Sequence, residues 1–87
     1  MVNTMQVFSI FDKKAGVYNT PFFCINQQVA VRSLCDLCSD SRSFVAKHPE
    51  DYALYLIGEF DEFKGALTPS TPLAIAEAVA CMPPVAQ

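Results

Sequence analysis

No apolar run in this 87-residue chain reaches the length of a membrane span. Its start lacks a basic segment leading into an apolar stretch, so no secretory signal is expected and the sequence predicts an intracellular protein. Basic charge is scarce: six Lys and Arg stand against nine Asp and Glu, a net charge of -3. That balance argues against gripping phosphate backbones over the whole surface and leaves room only for a local basic patch. There is a single histidine, His48, which argues against an enzyme, and the chain shows no internal repeat or low-complexity segment. Charged residues make up 17% and apolar residues 52%, the composition of a folded globule with apolar surface to spare for self-association. The length suits one small domain over residues 1–87, burying roughly 60 to 65% of the surface its unfolded chain exposes.

The densest information lies between Lys47 and Asp61, where a polar turn breaks into the longest extended apolar run. His48-Pro49 biases His48 away from helical backbone, and Glu50-Asp51 fits a turn. From Tyr52 both faces are apolar, with Tyr52, Leu54, Leu56 and Phe60 on one side and Ala53, Tyr55 and Ile57 on the other. A strand apolar on both faces belongs inside a sheet.

Met5 to Asp12 alternates as a first strand, with Gln6, Phe8 and Ile10 opposite Met5, Val7 and Phe11, and Asp12 to Gly16 closes it as a turn. Val17-Tyr18 and Phe22 to Ile25 predict an antiparallel return, interrupted at Asn19-Thr20-Pro21, where proline favours an edge or a bulge. Asn26 is a good N-cap for a helix from Gln27 to about Ser39, with Ala30, Val31, Leu34, Cys35, Leu37 and Cys38 on its apolar side. Phe44-Val45-Ala46 is expected to touch the core. Asp61 to Gly65 resembles a hairpin loop returning through Ala66-Leu67-Thr68. Beyond it two readings stand: a helix opened by Thr71-Pro72 and running from Leu73 to Met82, or a strand in which Leu73, Ile75, Val79 and Cys81 alternate. Pro83-Pro84 stops either one, with 83–87 as a frayed tail. The class is α+β, a small antiparallel sheet of about four strands with one covering helix, in the order β-β-α-β-β.

Cys35-Asp36-Leu37-Cys38 is a C-x-x-C, but it falls well inside the helix, where no dipole activates its first thiol. Cys24, Cys81 and His48 are scattered without a second close pair, so no zinc site is indicated and buried free thiols are the plainer reading. His48 with Glu50 and Asp51 could orient an imidazole, yet they share one short turn with no activated nucleophile nearby, so a structural turn is preferred. Glu59, Asp61 and Glu62 read as a solvated loop. Lys13, Lys14, Arg42, Lys47 and Lys64 all fall in predicted turns, with Tyr18, Phe22 and Phe23 near the first two. Lysines interleaved with rings on a sheet can track a single strand, bases stacking while lysines meet phosphates. The plainer reading has the lysines solvating turns and the rings building the core. The candidate nucleic-acid-binding residues are Lys13, Lys14, Tyr18, Phe22, Arg42 and Lys47, with no catalytic residue, metal or cofactor expected.

His48-Pro49-Glu50-Asp51-Tyr52, Leu54-Tyr55 and Ile57-Gly58-Glu59-Phe60-Asp61 resemble the small nonstructural protein of gokushoviruses, microviruses with circular single-stranded DNA genomes. The likeness extends to Phe8-Ser9-Ile10-Phe11-Asp12, Lys14-Ala15-Gly16, Tyr18, Pro21-Phe22-Phe23, Ala30 and Arg32, covering nearly the whole chain up to Gly65. It implies a phage accessory protein in the host cytoplasm, outside the capsid set, acting in the switch to single-stranded DNA synthesis and in genome packaging. Implied partners are single-stranded DNA or the phage's replication and packaging proteins, with no membrane. The alternative is a homodimeric module acting on a viral or host protein without touching DNA.

Overall fold

The computed structural model describes residues 4–81, so the 83–87 tail lies outside the described residues. Alternation builds β1 (Thr4–Asp12), and the chain returns on it twice, as β2 (Val17–Tyr18) and β3 (Phe22–Cys24). Tyr18 pairs with Phe11 and Phe22 with Phe8, so Asn19, Thr20 and Pro21 stand opposite only Ile10 and Ser9. This is the bulge expected at Pro21. The Ser9 hydroxyl, wholly buried, donates to the Asn19 carbonyl at 2.6 Å and so satisfies a group the bulge takes out of the ladder. The return ends at Cys24, and Ile25, expected in the strand, is instead exposed before the helix cap.

Helix α1 (Gln27–Ser39) begins where Asn26 accepts from the Val29 amide at 2.9 Å. Ala30, Leu34 and Cys38, four residues apart, form its buried stripe. Ser43 starts a short helix, α2 (Phe44–Lys47), that was not expected: its hydroxyl accepts from Ala46 and donates to the Leu37 carbonyl. Val45 enters the core, while Phe44 stays largely exposed. A 3-10 turn, Pro49–Asp51, leads into β4 (Tyr52–Asp61), and the Asp51 carbonyl accepts from Lys13 at 2.8 Å.

All strand pairs are antiparallel in a five-stranded sheet, with β1 and β4 interior, β5 (Ala66–Glu77) on one edge and β2 and β3 on the other. Strands β3 and β4 both oppose β1, hence run parallel to each other, and α1 carries the chain across between them. The core lies on that helix side, where Phe8, Ile10, Cys24, Tyr52 and Leu54 meet Ala30, Leu34, Cys38 and Val45.

Two expectations are corrected. A bulge at Ile57 shifts the register so that Leu56 faces Phe8 but Gly58 faces Val7. Phe60 therefore turns to the face opposite Leu54 and meets Phe23 at 5.5 Å. The return strand does not stop near Thr68: it continues through Pro69 and Pro72 to Glu77, and Ala78–Cys81 forms a 3-10 turn, so no helix opens at Thr71-Pro72. Prolines are tolerated there because β5 is an edge strand and slips register between Leu73 and Pro69.

Candidate nucleic-acid interface

Among the described residues no helix packs on the second face of the sheet. Its residues follow from the register: Tyr18, Phe11, Ala53 and Glu77 form one row, Ser9, Tyr55 and Ala74 the next, then Phe23, Val7, Gly58 and Pro69, and last Met5, Phe60 and Leu67. Phe11, Tyr18 and Tyr55 form a mutual cluster, with ring centroids 4.5, 5.6 and 5.7 Å apart. Phe23 and Phe60 make a second, edge-to-face pair. Tyr18 is 43% and Phe23 46% exposed, as befits rings on an uncovered sheet. Between them, small residues leave a shallow groove of about 320 Å³ lined by Val7, Pro21, Phe23, Ile57, Leu67 and Pro69, with Glu59 at its border.

Most carboxylates stand off this face, with Glu59 and Glu62 at its border near Phe23 and Phe60. Asp12 and Asp61 share their rows with Tyr52 and Thr4 on the helix side, and Asp36 and Asp40 stand on or beside α1. Glu77 is the one charge within the four aromatic rows, and Lys13 pairs with it. The stretch from Phe11 to Met5 is then an aromatic and aliphatic strip, with the paired Glu77 at one end and Glu62 beside Met5, Phe23 and Phe60 at the other.

The six candidate residues divide. Lys13, Lys14, Arg42 and Lys47 gather at one end of the molecule, because the β1–β2 turn is bonded to Asp51 just after α2. They share that end with Asp12, Asp40, Glu50, Asp51 and Glu77, and two are engaged: Lys13 with Glu77, and Arg42 with Asp40. The Arg42 guanidinium holds the Asp40 carboxyl below the usual range. Lys64 lies at the opposite end, in the turn after β4. Tyr18 stands on the open face; Phe22 points to the other side, stacked on Phe8 against the core. The open face thus takes Tyr18 from the candidates and adds Phe11, Phe23, Tyr55 and Phe60. Tyr55 was readable from strand alternation, whereas Phe60 required the bulge.

His48, Glu50 and Asp51 come within 4.8 Å of one another on the exposed 3-10 turn, whose Asp51 amide donates to the His48 carbonyl. Among the described residues no other such trio approaches so closely; the Asp61 side chain instead accepts from the Phe63 and Lys64 amides. The cysteines prove less scattered than their spacing implied. Burial pushes the Cys81 thiol up to about 12, helped by the neighbouring Cys35 and Cys38 thiols across the contact between α1 and the last 3-10 turn. Cys38 is raised as well, chiefly by burial, and donates to the Ala78 carbonyl at 3.4 Å. Protonated thiols in an apolar setting are poor nucleophiles. Among the described residues no helix is long and apolar enough to cross a membrane.

Comparison with known proteins places these features in a family. Residues 5–81 match the family described as Phage ORF5 protein. Protein ORF5 of Chlamydia phage 1 is 35% identical over 69 residues, which cover 75% of this chain and 72% of the relative. No solved structure matches. With the match running from β1 to the last 3-10 turn, the chain belongs to the Phage ORF5 protein family.

Proposed function

We propose that this protein is a non-enzymatic accessory factor of a single-stranded DNA phage, acting in the switch to single-stranded DNA synthesis and in genome packaging by contacting the single strand through its open sheet face. One observation carries the reading: the uncovered face bears five aromatic rings, Phe11, Tyr18, Phe23, Tyr55 and Phe60, and its only charge within the rows is the Glu77 that Lys13 pairs. Bases stack on such rings at about 1 to 3 kcal/mol each, without regard to sequence. Lys14 stands at the end of the sheet beside Asp12 and Asp51, so the electrostatic share is small and stacking dominates. Anisotropy of a labelled oligothymidylate tests it. Binding is expected at low salt with a shallow salt dependence, because few phosphates are neutralised. No binding at low salt would exclude direct DNA contact.

A second reading is favoured by the pairing of Lys13 and Arg42 with carboxylates. In it the apolar surface serves self-association and the capture of a viral or host protein, without DNA.

A further inference from the structure

A cavity of about 530 Å³ lies on the helix side, where the C-terminal half of α1 and α2 stand over the bulge at Asn19 and Thr20. Its walls are mostly apolar, from Ile10, Phe22, Leu37, Phe44 and Val45, with Asp36 and Asp40 also lining it. Asp40 already holds Arg42, whereas Asp36 makes no ion pair among the described residues. An apolar hollow with a free carboxylate beside it fits an apolar ring followed by a cation. Size is no obstacle, since a cavity of about 150 Å³ already accepts benzene.

The chain displays such a pair. In the turn between β4 and β5, Phe63 is 79% exposed and is followed by Lys64, which makes no ion pair among the described residues. The turn is firmly built: Asp61 accepts from the Phe63 and Lys64 amides at 2.9 and 3.2 Å, and Gly65 closes it with φ 62°. Phe63 cannot reach the cavity of its own chain. The turn extends beyond the row of Thr4 and Asp61, while the cavity sits at Ile10, about 20 Å further along β1.

We propose that the cavity receives Phe63 of a second copy, with that copy's Lys64 against Asp36. The contact joins one end of a protomer to the helix side of the next, so it is heterologous and builds open chains or a ring, not a two-fold dimer. It rests on the self-association part of the second reading, placing that contact on the helix side and leaving the aromatic sheet face uncovered.

Sedimentation velocity over a concentration series tests it with wild type, Phe63→Ala, Asp36→Lys and an equimolar mixture of the two variants. Both positions are exposed, and circular dichroism checks that each variant is folded. Wild type is expected to grow beyond the monomer and each variant alone to stay monomeric. The mixture should form a dimer and stop there, because only the cavity of Phe63→Ala and the turn of Asp36→Lys are intact. Combining Asp36→Lys with Lys64→Glu in one chain should restore association. Association of Phe63→Ala equal to wild type would overturn the contact while leaving self-association standing. A wild type that is monomeric at every concentration would overturn both.

Discussion

At the scale of single residues, buried polar groups are few: Ser9 has its partner, whereas the Gln6 side-chain oxygen is buried without one. Ser9 is wholly buried and bonds the Asn19 carbonyl within the bulge. Ser9→Ala leaves that carbonyl without its partner and is expected to destabilise the fold by about 1 to 3 kcal/mol in urea unfolding. The thiols make a prediction in pH. Burial raises Cys81 from its ordinary 9.0 to about 12, so the folded chain holds that proton more tightly than the unfolded one. The resulting stabilisation is complete below pH 9 and is lost as pH rises toward 12. Unfolding under reducing conditions should therefore show stability falling across that window, with a flatter profile for Cys81→Ser. Sequence spacing placed Cys35 and Cys38 correctly on the inner side of α1. It could not place Cys81 beside them, because that meeting depends on β5 running back along β4 to deliver the last 3-10 turn to the helix.

At the scale of elements, β4 and its bulge set both faces of the molecule. The extended run from Tyr52 was legible because Tyr, Leu and Ile fill both sides, and the helix because Asn26 and the Ala30, Leu34, Cys38 stripe agree. The facing of Phe60 was not legible: period-2 alternation assumes an unbroken register, and Ile57 breaks it. Gly58 shows why the break is tolerated. A Cβ there would sit 2.6 Å from the Thr68 carbonyl oxygen, a backbone atom that cannot swing aside. Gly58→Ala is expected to destabilise by about 1 to 3 kcal/mol and to loosen the β4–β5 pairing, measurable by amide exchange at Glu59 and Thr68. The tail misled toward a helix because Thr71-Pro72 followed by alanines has the local chemistry of a helix start. Pairing with β4 outweighed it. Both edges of the sheet carry proline, Pro21 on one and Pro69 and Pro72 on the other, which blunts edge-to-edge addition of a further strand.

At the scale of the whole molecule, charge and aromaticity are divided between two sides. The helix side holds Asp36 and Asp40 at the large cavity and Asp12 and Asp61 in the rows of Tyr52 and Thr4; the open side presents five rings, with the paired Glu77 at one end and Glu62 at the other. Net charge alone pointed away from nucleic acid, because composition averages over a surface that the fold separates. The candidate lysines were legible as turn residues, but their pairing with Glu77 and the neighbouring carboxylates depended on which turns meet. Aromatic side chains were visible in the sequence without their facing, which is why Phe22 stood beside Tyr18 among the candidates and Phe60 was read on the Leu54 side of β4. The claim that the open face receives a single strand is tested most directly by tyrosine emission. Tyr18 and Tyr55, two of the three tyrosines, stand on that face, and Tyr52 is buried in the core. Titration with oligothymidylate is predicted to quench most of the tyrosine emission in wild type and much less in Tyr18→Ala. An oligonucleotide that binds while wild-type emission stays constant would contradict the account.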